Sequence, residues 1–177
     1  MECLLCGVTS RLEEMIRYIS LCGHGFRVER VEEVVYTLLG YTLIWSQEKV
    51  VYTSEISGCG EEGESSYLKV IFPADKSKSR KSLTRRVIRN KVWQAEGLIG
   101  ILEGIGCQDR RERSYTRKVY GFKGAEVIIV QKENEQIVVV RAQQSQDGEA
   151  VLEEVKAKLS IWIDLIIPPE GIWPLLF

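Results

Sequence analysis

A single histidine, His24, serves a chain of 177 residues, so catalysis through a His-based dyad is disfavoured. No apolar run reaches the roughly 18 residues that would span a bilayer, and no membrane helix is expected. The opening Met1 to Gly7 (MECLLCG) lacks a basic stretch and a long apolar segment, so no secretory signal is expected either. Five cysteines is an odd number. Together with the missing signal, it predicts reduced thiols in an intracellular compartment. The pattern GxxxxGK[ST] is absent, which removes the phosphate-binding P-loop. The glycines at 97, 100, 104 and 106 are interleaved with Leu and Ile and read as packing and capping glycines on a helix.

Hydrophobic residues at 45% and charged residues at 28% describe an ordinary globular protein. The length suits one domain over residues 1–177, with flexible loops expected near 58–66 (Gly/Ser-rich and polar) and 74–82 (basic and Ser-rich). The net charge of −1 hides a polarity. Between Lys76 and Lys118 thirteen Lys and Arg stand against four acids, while the remainder holds eleven basic and twenty-one acidic residues. Such an asymmetry bears on partners rather than on fold.

The stretch from Leu83 to Val130 organises the chain. Thr84 to Trp93 reads as a strand. Leu98, Ile101, Leu102 and Ile105 recur at i, i+3, i+4 and i+7, the spacing of one buried helix face, and Gly104 and Gly106 predict its end. An extended run through Tyr115 to Phe122 turns near Lys123-Gly124 and returns through Glu126 to Val130, a hairpin signature. Before this unit, Glu2 to Cys6 is a short strand. Ser10 and Glu13 have capping-box spacing, followed by a stripe of Leu12, Met15, Ile16 and Ile19 that stops near Gly23. Phe26 to Glu55 is mostly strand-like, and Tyr67 to Phe72 is a strand ended by Pro73. After it, Gln136 to Ala142 is one more strand, and a helix begins at Asp147-Gly148 with Leu152, Val155, Leu159 and Trp162 on one face. The tail from Ile166 carries three prolines, which forbid regular helix; it either packs back or binds a partner. The expected fold is α+β, mostly antiparallel: a closed or strongly bent β-barrel flanked by about three helices.

Chemistry is thin. Cys3, Cys6, Cys22 and His24 are possible zinc ligands, but i and i+3 on a strand point to opposite faces, and buried thiols are favoured over a metal. The ExExK pattern of triphosphate-tunnel enzymes has its nearest match at Glu62-Gly-Glu64-Ser-Ser66, without the lysine. An enzyme of that type would need acids inside a barrel beside Arg and Lys, with Glu29, Glu32 and Glu126 as candidates. The basic cluster would suit nucleic-acid phosphates, yet only Trp93 and Tyr115 interleave it as stacking aromatics. No catalytic residue, cofactor or metal is assigned, and no specific nucleic acid is expected as a partner.

In order, the opening MECLLCG, Val35 to Gly40 (VYTLLG), Thr84 to Asn90 (TRRVIRN), the run Gly106 to Gln131 with its Tyr120-Gly-Phe-Lys-Gly124, and the strand and helix of Gln136 to Leu159 resemble the Mediator subunit 18 family of the RNA polymerase II coactivator. The resemblance covers most of the chain. It implies a non-catalytic antiparallel barrel, a cousin of the triphosphate-tunnel fold, acting in the nucleus within the Mediator head module. It further implies pairing with the related barrel of Mediator subunit 20 and tethering by a C-terminal helix of subunit 8, with polymerase machinery reached only indirectly. Expected partner contacts are Tyr120, Phe122, Trp162 and Trp173 as aromatic anchors, and Arg85, Arg86, Arg110, Arg111 and Arg113 as a cationic surface.

Overall fold

Long alternating strands need somewhere to hide two faces, and this chain bends them into a ring. The computed structural model describes residues 2–53, 64–75, 81–93, 97–132, 135–143 and 147–169. The elements are β1 (Glu2–Val8), α1 (Leu12–Cys22), β2 (His24–Leu38), β3 (Tyr41–Thr53), β4 (Glu64–Ile71), β5 (Leu83–Arg85), β6 (Val87–Val92), α2 (Leu98–Gly104), β7 (Gln108–Phe122), β8 (Ala125–Lys132), β9 (Glu135–Gln143) and α3 (Gly148–Leu159). All nine strands form one antiparallel sheet in the order β5-β1-β9-β8-β7-β2-β3-β4-β6, curled into a nearly closed barrel as expected.

The two ends of that sheet are neighbours in sequence, separated only by Arg86. β5 pairs with β1 through Cys3↔Thr84 and Leu4↔Leu83, whereas β6 pairs with β4 through Ile71↔Val87 and Lys69↔Arg89. Two further backbone bonds continue the seam: the N–H of Phe72 donates to the carbonyl of Arg86 at 3.0 Å and that of Asp75 to Thr84 at 2.8 Å. One kinked strand therefore links both margins of the sheet.

Strand periodicity sorts side chains into two layers. On the outside Cys3, Leu5, Phe122, Val127, Ile129, Val138 and Val140 are buried beneath Met15 and Ile19 of α1 and Leu152, Val155 and Leu159 of α3. On the inside Leu4, Cys6, Val119, Ile128, Val130 and Val139 form a second cluster. Cys3 and Cys6 thus lie in different layers, and the described cysteines, Cys3, Cys6, Cys22 and Cys107, are free thiols. Burial on both faces explains the unbroken runs Val127 to Val130 and Val138 to Val140.

Several local expectations change. Arg11, not Ser10, is the N-cap residue of α1 and makes no side-chain cap bond; the Arg11 N–H donates instead to Thr9 Oγ1 at 3.0 Å. Helix α2 buries only Leu102, with Leu98 and Ile99 packed beside it, while Ile101 and Ile105 are 62% and 56% exposed. The Leu98-Ile101-Leu102-Ile105 spacing marks a real helix, but a seven-residue helix lying flat on a sheet covers too narrow a strip to bury all four. Trp162 lies past the end of α3 and packs on Tyr18 of α1, the ring centroids 4.6 Å apart and the planes tilted by 31°. Residues 64–66, expected in a loop, open β4. Most of the remaining expected loop residues lie outside the described set, as does the tail beyond Pro169. Ile166 does pack back, exchanging both backbone bonds with Cys6 at 2.8 and 2.9 Å. The hairpin at Lys123-Gly124 is as read, with φ of 53° and 79° at its two central residues.

Candidate functional site

Register puts a row of charges on the inner face. Glu29 and Glu33 of β2 alternate with the buried Val31 and Val35, and stand opposite Arg117 and Arg113 of β7. Glu48 of β3 joins them across Val31, and Lys69 of β4 pairs across to Ile44 on one side and Arg89 of β6 on the other. These side chains meet. Glu48 accepts from Lys69 Nζ at 2.7 Å, from Arg89 Nη2 and Arg117 Nη2 at 2.9 Å each, and from Ser46 Oγ at 3.3 Å. Glu29 accepts from Arg27 Nε at 2.6 Å and Arg117 Nε at 2.5 Å. Glu33, only 2% exposed, accepts from Arg113 Nε at 2.7 Å and lies 3.5 Å from Lys69 Nζ. The chain of pairs continues from Arg27 to Glu126 at 2.9 Å, from Glu126 to Arg141, and from Arg141 and the buried Arg85 to Glu2 at 3.6 and 3.5 Å. It runs around the wall from β6 to β5.

Desolvation alone would push each buried carboxyl upward, and the cations overrule it. Arg117, Lys69 and Arg89 hold Glu48 down at about 2, and Arg141 and Arg27 do the same for Glu126, also at about 2. Glu29 is lowered as well, by Arg117 and Arg27 against its burial. Burial lowers Lys69 despite its two carboxylate neighbours, and brings Arg85 to about 10 even with Glu2 beside it. The Tyr115 hydroxyl is raised, first by burial and then by the charge of Glu33. At neutral pH the carboxylates Glu29, Glu48 and Glu126 are ionised and neutralised by adjacent cations. Among the described residues no group of three or more His, Cys, Asp or Glu could hold a metal.

Part of the lopsided sequence charge is thus folded onto itself. Arg85, Arg89, Arg113 and Arg117, all from the basic stretch, pair with Glu2, Glu48, Glu33, Glu29 and again Glu48 from the acidic remainder. Sequence reading selected Glu29 and Glu126, which are in the network. It also selected Glu32, which is exposed on the outer face, and missed Glu33, Glu48 and Lys69. The signal for Glu33 is its even spacing from Glu29 on one strand.

The expected contact residues scatter. Tyr120 and Phe122 are buried core residues under α1, with Tyr120 stacked on Phe26 at 4.7 Å and Phe122 edge-on to Tyr18 at 5.8 Å. They are therefore not surface anchors; they hold the chain's own helix. Trp162 is half-buried, and Trp173 lies outside the described residues. Arg85 is buried and Arg113 half-buried, both inside the ion-pair network, so neither contributes to a cationic outer surface. Arg86, Arg110 and Arg111 are exposed, with Arg86 over the Phe72 ring and Arg110 joined to Glu103 and Glu112.

A helix-clad antiparallel barrel with a charged bore has the triphosphate-tunnel-like architecture. No protein-family model matches the sequence, and no curated protein does. Solved structures match the fold. A chain of the Schizosaccharomyces pombe Mediator head module superposes with a TM-score of 0.71 at 17% identity, over 94% of this chain and 98% of that one. A protein of Pyrococcus horikoshii gives the same score and identity over 99% and 98%. A Hippeastrum putative adenylyl cyclase with a dominant triphosphatase activity gives 0.58 at 6% identity, over 99% and 94%. At these identities the likeness establishes the fold.

Proposed function

We propose that this chain is a non-catalytic barrel that acts by binding other proteins, a head-module subunit of Mediator serving RNA polymerase II transcription in the nucleus. One observation carries the reading: Glu29, Glu33, Glu48 and Glu126, the acids that a metal-dependent tunnel would need, are each held by two or three Arg or Lys side chains. A bore braced in this way is a cross-linked wall. Loading a metal or a polyphosphate into it requires breaking several buried pairs at once, each break leaving an uncompensated charge. The S. pombe head-module neighbour supports the same direction. The proposed partners are a related barrel of the subunit 20 kind and a helix of the subunit 8 kind. Of the residues first considered for contact, Arg86, Arg110 and Arg111 are exposed and Trp162 is half-exposed, free to make it in part.

Co-expression with Mediator subunits 20 and 8 of the same source, followed by size-exclusion chromatography with light scattering, tests this. A stoichiometric co-eluting complex is expected; a chain that stays monomeric beside both removes the reading. The second reading, a metal-dependent triphosphate hydrolase, has in its favour the convergence of Lys69, Arg89, Arg113 and Arg117 on one interior, and the Hippeastrum neighbour. Release of phosphate from tripolyphosphate with Mg²⁺ or Mn²⁺ would establish it. Inertness with both is expected.

A further inference from the structure

The seam that links the sheet's ends leaves one stretch of backbone with a single neighbour. β5 is paired on one side by β1 and touched on the other by Asp75. β6 has β4 on one side only, and among the described residues no backbone bond reaches its other side. Pairing with β1 stops at Glu2↔Arg85, so the line of β1 is not continued alongside Val87–Val92. Among the described residues, the N–H and C=O groups of this six-residue strand that point away from β4 thus form a free row, a template for one more strand.

The chemistry around this edge is one-sided. Residues 83–93 contain Arg85, Arg86, Arg89 and Lys91 and no acid. Arg85 and Arg89 are drawn inward to Glu2 and Glu48. Arg86 and Lys91 are exposed, lie over the rings of Phe72 and Trp93, and make no salt bridge among the described residues. Trp93, just past the end of β6, is 84% exposed. Like charges on facing edges repel, so this edge disfavours a second copy of itself. The same charges favour a strand of opposite sign.

We propose that the free edge of β6 is a strand-addition site for an extended acidic segment of a partner protein. Its backbone continues the sheet beside Val87–Val92, its carboxylates face Arg86 on one side of the sheet and Lys91 on the other, and an apolar residue rests on Trp93. Whichever partners hold the rest of the molecule, this site recognises backbone and charge and does not depend on the subunit assignment above.

The test uses the full chain and three capped nine-residue peptides: a Glu-Glu-Val repeat, which carries carboxylates on both faces, a Lys-Lys-Val repeat, and the Glu/Val peptide with central prolines. Titration calorimetry is expected to show saturable binding of the Glu/Val peptide, weakened by salt, and loss of binding for the proline version, which cannot form the ladder. Hydrogen exchange is expected to find that the amides of 87–92 pointing away from β4 exchange rapidly in the chain alone and slow with that peptide. The double charge reversal Arg86→Glu with Lys91→Glu is expected to weaken the Glu/Val peptide about tenfold or more and to favour the Lys/Val one. Three results overturn the proposal. The amides of 87–92 that point away from β4 are already protected in the chain alone, so its own residues cover the edge. The proline peptide binds as well as its parent, so no strand is added. A single-stranded oligonucleotide binds while no peptide does, so the basic edge serves nucleic acid.

Discussion

Glu48 gathers three cations and a hydroxyl onto one carboxylate in the barrel wall, and its side chain is nearly out of contact with solvent. Truncating it leaves Lys69 and Arg117 buried without their shared partner. Glu48→Ala is therefore expected to cost about 3–5 kcal/mol of unfolding free energy in urea denaturation. The sign of its pH dependence follows from the lowered carboxyl. A group held at about 2 in the fold against an ordinary 4.5 contributes stability in full above about 4.5 and loses it as the pH falls toward 2. That contribution is about 3 kcal/mol. Comparing urea midpoints at pH 7 and pH 3 is expected to show a marked drop in the parent chain and a smaller one in Glu48→Gln. A different residue-scale constraint sits at Gly121, where a Cβ would come within 2.3 Å of the His24 carbonyl oxygen. Gly121→Ala must push two strands apart. An expected loss of about 1–3 kcal/mol would appear as a lowered thermal midpoint.

Elements were legible where one period ruled, and less so where two demands met. The Tyr120-Gly-Phe-Lys-Gly124 turn and the Leu152, Val155 and Leu159 stripe of α3 follow from spacing alone, though Trp162 falls past the helix end. Helix α2 was found by the same spacing, but the width of its buried strip depends on a sheet that local sequence does not describe. Leu102→Ala is accordingly expected to cost about 2–5 kcal/mol, and Ile101→Ser to fall within about 0.5 kcal/mol, both read by chemical denaturation. The bore was legible only in part because a strand with Glu29, Val31, Glu33 and Val35 on one side breaks the rule that inward residues are apolar. Choosing Glu32 in place of Glu33 moves the charge to the opposite face, since the strand period is two. What pairs with Glu33 lies 36 and 80 residues away, at Lys69 and Arg113, and no local pattern announces it.

For the molecule as a whole, part of the basic stretch that looked like a binding surface is a construction material. Arg85, Arg89, Arg113 and Arg117 meet the acids of the other strands, and buried pairs of this kind are screened little by salt. Raising NaCl from 0.1 to 0.5 M is expected to shift the thermal midpoint far less than lowering the pH to 3. The seam between β5 and β1 has a further consequence, in time rather than in space. β1 lies between strand residues 83–85 and 137–143, so its neighbours are made long after it. At roughly 5–20 residues per second of synthesis, Leu4 and Leu5 leave the ribosome many seconds before Val139 and Val140 exist to cover them. β1 is made before the strands that flank it and is placed only after them, and through that interval the nascent chain carries an apolar, unpaired segment, the kind of segment that chaperones hold.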